Sequence, residues 1–131
     1  MDCSDQLMIR LRSLDGQPPT DVDIELNIDG NAVTCKPNPS GGQTNPFQCE
    51  QNVTVAHQEL QRCRGSVCKG TGSFEQIIEI SSTPKRVRLR VKHGGRVLGA
   101  RTFVPQYARV RPNGRGCLPV CRQATRTWRY R

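Results

Sequence analysis

The residues of this 131-residue chain best suited to covalent chemistry are seven cysteines: Cys3, Cys35, Cys49, Cys63, Cys68, Cys117 and Cys121. Cys63 and Cys68 flank four residues, and Cys117 and Cys121 flank Leu118-Pro119-Val120, so each pair is spaced to close locally. Cys35 and Cys49 would clip a proline- and glycine-rich loop at its base, which leaves Cys3 alone. Bridges over short loops remove little unfolded-state entropy, so they pin turns more than they hold a fold. A competing chemistry is a tetrahedral zinc site built from Cys63, Cys68, Cys117 and Cys121 with His57 or His93. The C-x4-C and C-x3-C spacings are not the usual C-x2-C knuckles, so disulfides are the preferred reading. Seven cysteines exceed what a reducing compartment tolerates without metal, and an extracytoplasmic setting is expected, whether secreted, periplasmic or as a surface lipoprotein.

Arginine is the second chemical signal. Residues 1–30 hold seven acids and two bases, residues 31–83 hold four of each, and residues 84–131 hold fourteen bases and no acid, within a net charge of +9. The outward positions Arg86, Arg88, Arg90, Lys92, Arg96 and Arg101 form a candidate polyanion-binding face, because guanidinium forks match phosphate and sulfate groups bidentately. The bland alternative is a solvated strand whose charges discourage edge pairing. Phe103 is the one aromatic residue near this face, whereas single-strand nucleic-acid binders add aromatic stacking platforms.

For catalysis the search ends quickly. There are two histidines, and no G-x-S-x-G, H-E-x-x-H, Walker or dinucleotide motif. Asp21, Asp23 and Glu25 alternate along one stretch and read as a solvated strand face. Asp2, Asp5 and the acids between 21 and 29 would bind calcium only weakly if gathered, and no EF-hand loop is present. No enzyme, cofactor or resident metal is expected. Asn52-Val53-Thr54 is a formal glycosylation sequon that matters only in a eukaryotic source.

The elements that must position these groups read as β-structure. Leu7, Ile9 and Leu11 alternate with polar neighbours over 6–13, and Val22, Ile24, Leu26 and Ile28 alternate with Asp21, Asp23, Glu25 and Asn27. Asp29-Gly30 or Gly30-Asn31 makes the next turn; if Asp29-Gly30 is its type I′ pair, Leu26 lies opposite Val33 and Ile24 opposite Cys35. The segment 36–48 reads as a long Pro/Gly loop and the segment 63–73 as another loop. Val53 and Val55 suit a strand over 51–57, while 53–60 also suits a short helix; the strand is favoured. A strand follows over 74–81. Val87, Leu89 and Val91 alternate with arginines, and a two-residue turn at Gly94-Gly95 would place Val91 opposite Leu98, Leu89 opposite Ala100, Val87 opposite Thr102 and Arg88 opposite Arg101. A short edge strand near 108–111 and a last strand over 123–130 complete about eight, within a range of seven to nine.

The predicted fold is a single all-β domain over 1–131, an antiparallel sandwich with disulfide-pinned loops and a flexible N-terminus at 1–5. No apolar run is long enough to cross a membrane as a helix. The chain begins Met1-Asp2-Cys3 with neither a charged n-region nor an apolar h-region, as a mature exported form carrying a start methionine would.

The segments Thr102-Phe103-Val104-Pro105-Gln106-Tyr107 and Arg111-Pro112-Asn113-Gly114-Arg115-Gly116-Cys117-Leu118-Pro119-Val120-Cys121 resemble the C-terminal pattern P-x-Y, then P-N-G-x-x-C-x-P-x-C, of small exported immunoglobulin-like proteins and lipoproteins of myxobacteria and related bacteria. The opening strands around Asp15-Gly16-Gln17-Pro18 are similar to the start of prealbumin-like and carboxypeptidase-regulatory-like sandwiches. The resemblance implies an extracytoplasmic β-sandwich, carries no established activity or catalytic residues, and places Cys3 near a lipid-attachment cysteine with an anchor upstream, although no lipobox precedes it. The expected role is a non-catalytic structural or protein-binding module whose partner is a protein or surface polymer. The alternatives are polyanion binding through the Arg-rich face and a protease-inhibitor-like loop at 113–117.

Overall fold

A computed structural model describes residues 3–40, 46–116 and 118–130, and among them no residue is helical. Among the described residues ten strands, more than the seven to nine expected because 53–80 is almost continuous strand and 47–49 adds a short one, form two five-stranded sheets. The first sheet orders its strands β5 (Val53–Arg64), β6 (Val67–Ile80), β1 (Gln6–Ser13), β10 (Cys121–Tyr130) and β9 (Ala108–Val110); the second orders β4 (Phe47–Cys49), β3 (Asn31–Pro37), β2 (Asp23–Ile28), β7 (Val87–His93) and β8 (Arg96–Phe103). Every pairing is antiparallel except β1 with β10, which run parallel from Gln6 opposite Gln123 to Ser13 opposite Tyr130. A parallel pair cannot be joined by a tight turn. Here nearly the whole chain lies between its two members.

Alternation builds the core as the sequence predicts. Leu7, Ile9 and Leu11 of β1, Ile78 and Ile80 of β6, Ile24 of β2, and Val87, Leu89 and Val91 of β7 are fully or almost fully buried and belong to one cluster filling the space between the sheets. The Asp29-Gly30 turn has φ of 50° and 93°, both in the left-handed region that a type I′ turn demands, and the predicted pairs Leu26 with Val33 and Ile24 with Cys35 form. Asp29 holds its unusual backbone by accepting hydrogen bonds from the amides of Lys85 and Arg86 at 2.9–3.1 Å.

Besides the strand count and the parallel pair, four expectations change. A bulge between Val91 and Lys92 shifts the β7–β8 register by one, so Val91 meets Gly99, Leu89 meets Arg101, Arg88 meets Thr102 and Val87 meets Phe103. The shift brings Phe103, 1% exposed, into the core and relieves the like-charge pairing of Arg88 with Arg101. Gly99 then faces the Trp128 ring, which a Cβ at that position would approach to 3.0 Å, so the bulge lets the backbone close over the indole. The supposed loop 63–73 is instead β-ribbon, because β5 and β6 continue as a hairpin to a two-residue turn at Gly65-Ser66. The Pro/Gly loop is shorter than 36–48: Lys36 and Pro37 belong to β3 and Phe47 and Gln48 to β4, while 41–45 lie outside the described residues.

The fourth change is covalent. Cys35–Cys49 and Cys63–Cys68 pair as the spacing predicts, but Cys121 pairs with Cys3 rather than with Cys117, which lies outside the described residues. The parallel strands explain the exchange: Asp5 accepts from the amide of Arg122 at 2.8 Å and Ser4 from Gln123 at 3.1 Å, which holds residues 3–5 against the start of β10. The start of the described chain is therefore fastened rather than loose, and Cys3 is paired rather than left alone. Cys3–Cys121 spans 118 residues and Cys63–Cys68 spans 5. Chain entropy then assigns about 5 kcal/mol to the first and about 2 kcal/mol to the second. Urea denaturation of C3S/C121S should show the larger loss and that of C63S/C68S the smaller; equal losses would mean that the terminal seam persists in the unfolded chain.

Candidate functional site

The arginine face is built by the outer positions of the second sheet, where register alone sets the neighbours. One row across the strands reads Thr34, Glu25, Arg90, Ala100, and the next reads Ala32, Asn27, Arg88, Thr102. These residues line an open depression of about 730 Å3. Its walls are short side chains at the edges and long charged ones in the middle.

The structure divides the six predicted basic residues. Arg90 donates through Nε and Nη2 to Glu25 at 3.1 and 2.7 Å, and Lys92 lies 3.5 Å from the other carboxylate oxygen. Glu25 thus neutralises the centre of the face. The Arg90 hydrogen bond, helped by the charge of Lys92 and opposed by partial burial, holds the Glu25 carboxyl below its ordinary value of 4.5. Arg101 is turned to the opposite face by the bulge, with its guanidinium 5.3 Å from the Phe103 ring centre; Arg126 approaches the same ring at 5.9 Å. Arg96 sits beyond the turn opposite His93, whose Nε2 is 3.1 Å from Asp21. Arg86 precedes β7 at the rim. Arg88 remains on the face between Asn27 and Thr102, with no carboxylate of the described residues at ion-pair distance.

Disulfide pairing rearranges the other candidate groupings. The sulfurs of Cys63, Cys68 and Cys121 are all in disulfides, so they do not supply the thiolates of the zinc reading. The 113–117 loop lacks the expected Cys117–Cys121 brace and is tied instead by Asn113 donating to the Leu118 carbonyl at 2.9 Å and by the Gly114 amide to Arg111 at 3.0 Å. Tyr107 of the P-x-Y segment donates to the Pro84 carbonyl at 2.6 Å, and burial with nearby Asp29 pushes its hydroxyl up to about 12. That tyrosine is a latch on the approach to β7.

The longest unbroken run of exposed residues among those described is not one of the expected sites. Among the described strands, β5 and β6 have only each other beyond Phe74, and residues 61–72 are all exposed although 61–64 pair with 67–70 as a ribbon past an irregularity at Leu60. Arg62 pairs with Lys69, Cys63 with Cys68 and Arg64 with Val67, so one face carries three cations and a valine while the other carries the disulfide. The root of this arm is heavily fastened. Phe74 donates its amide to Gly16 at 2.8 Å, Gln17 donates to Gly72 at 2.7 Å, and Thr71 donates to Leu60 at 2.8 Å. Below it, the fully buried Glu75 accepts from Arg10 and Arg12 at 3.0 Å and from Gln58 at 3.2 Å, while His57 stacks on Phe74 at 5.1 Å. The signal available in the sequence was the alternation of Arg62 and Arg64 with Cys63, mirrored by Val67 and Lys69 around Cys68.

The depressed Glu25 carboxyl gives a pH test. A lowered acid contributes stability that is present above 4.5 and is lost as pH falls through its folded value. Replacing Arg90 by Ala should return the Glu25 titration, followed by carboxyl-carbon NMR, toward 4.5; an unchanged midpoint would mean that the ion pair is not maintained in solution. Comparison of the chain with protein-family models, with curated proteins and with solved structures finds no match, so what it does has to be argued from its own residues.

Proposed function

We propose that the chain is a non-catalytic module, an immunoglobulin-like or prealbumin-like sandwich exported from the cytoplasm, that acts by binding a protein partner through the β5–β6 arm. The carrying observation is that residues 61–64 and 67–70 keep strand pairing while wholly exposed, fixed at the root by hydrogen bonds and at the tip by Cys63–Cys68. A two-stranded ribbon is marginal in water without a hydrophobic face. Fastening at both ends holds it in shape before any partner arrives, which reduces the ordering cost of association. Three disulfides among the described residues agree with an oxidising, extracytoplasmic environment.

The test is site-specific photo-crosslinking in the extracellular fraction of the source. A photoreactive residue at position 67 should capture a protein, the same residue at position 102 should not, and replacing 61–70 by Asn-Gly in a variant with native near-UV dichroism should abolish binding. Equal capture from both positions, or binding that survives the trimming, would remove the arm from its role.

A second reading, an oxyanion-bearing polymer on the second sheet, is favoured by Arg88, which has no carboxylate at ion-pair distance among the described residues and whose neighbours Asn27 and Thr102 can donate hydrogen bonds. On heparin resin, Arg88→Ser should then elute at clearly lower salt than Arg109→Ser. Equal shifts would reduce the effect to net charge.

A further inference from the structure

We propose that the face of the arm formed by Arg62, Arg64, Val67 and Lys69 docks on an acidic surface of a partner protein that has an apolar centre. This rests on the protein-binding reading of the arm and specifies the chemistry of the partner.

Charge is the first argument. Residues 61–70 contain three bases and no acid. Arg62 and Lys69 are direct cross-strand neighbours, and like charges placed so are destabilising. No acid of the described residues forms an ion pair with them: the nearest acid along the ribbon, Glu59, folds its carboxylate over Gly70 and accepts from the Gly72 amide at 3.2 Å. Gly70 pairs with Gln61, so the carboxylate lies on the disulfide-bearing face, away from the cations. A partner carboxylate set between Arg62 and Lys69 would relieve their repulsion with charge-assisted hydrogen bonds.

Shape and apolar content are the second argument. Val67 is 60% exposed and sits opposite Arg64 at the tip, so the cations surround a small apolar spot. A uniform sulfated or phosphorylated polymer would use the charges and leave Val67 in water. A protein surface would cover it, along with the aliphatic stem of Arg64, inside a polar rim. A second copy of this chain is a poor occupant because two molecules of +9 repel.

The probe is a synthetic peptide of alternating acidic residues and leucine, compared with a leucine-free acidic peptide, a heparin fragment and phosphatidylglycerol vesicles, each titrated against the full chain. The leucine-bearing peptide should bind best. R62S/R64S/K69S should weaken it about 30-fold, roughly a factor of three for each exposed charge lost. Val67→Ser should weaken it about threefold, as expected for a partly exposed methyl pair, and leave the leucine-free peptide and heparin unchanged. Retained affinity in the triple variant, indifference to Val67→Ser, preference for heparin or vesicles, or concentration-dependent self-association through the tip would each overturn the proposal. Failure here is separable from failure of the protein-binding reading: capture at position 67 that persists in the triple variant removes only the acidic partner, whereas partner binding that survives trimming removes the arm altogether.

Discussion

The parallel seam between β1 and β10 is the constraint on which the rest of the molecule depends. It can form only when 107 intervening residues, from Leu14 to Val120, have folded back on themselves, and loop closure of that length carries a large entropic cost. Cys3–Cys121 fixes that closure covalently, and the buried run of Leu7, Ile9 and Leu11 rewards it by contacting residues from both sheets. Once β1 is in place, β6 pairs on one side and β10 on the other. The arm follows from this, because its root stands on β1 through Glu75, Arg10 and Arg12 and on the turn after β1 through Gly16 and Gln17.

Charge is arranged by the same topology. The acidic start of the chain and its basic second half are brought side by side when β2 pairs with β7, so Asp23, Glu25 and Asn27 face Lys92, Arg90 and Arg88. An asymmetry that looks like a polyanion site in one dimension becomes, in three, a basic sheet with acids set among its central cations. Exposed ion pairs of this kind contribute little stability, about 0–1 kcal/mol each. Their effect is on which cations remain available to another molecule, and the balance moves toward the arm, where no such acid lies on the cationic face.

What was legible in the sequence tracks burial on one face. β1, β2 and β7 alternate because one side is dry, and Asp29-Gly30 was readable because few residue pairs adopt two left-handed conformations in succession. The arm was misread for the complementary reason: with both faces wet, nothing forces an apolar period, and Gly65, Gly70 and Gly72 look like loop punctuation. The bulge near Leu98 escaped because a two-residue turn and a shifted ladder beyond it satisfy the same local pattern; only the demand of Phe103 for the core and of Trp128 for space beside Gly99 decides between them. The partner of Cys121 was hidden because spacing describes nearby thiols, whereas a parallel pairing of first and last strands brings together distant ones. The candidate basic face was found in part, since residues predicted to share it are divided by a single bulge.

The Cys3–Cys121 bond has a mechanical meaning. Because β1 and β10 run the same way, residues 3 and 130 emerge near opposite poles of the sandwich. Tension applied between them crosses at once from the first sulfur to the second and runs along a strand that is already extended. Everything between residues 4 and 120 hangs from that taut line as a closed covalent loop, shielded from traction, so the module would transmit pull without yielding length while the thiols stay oxidised.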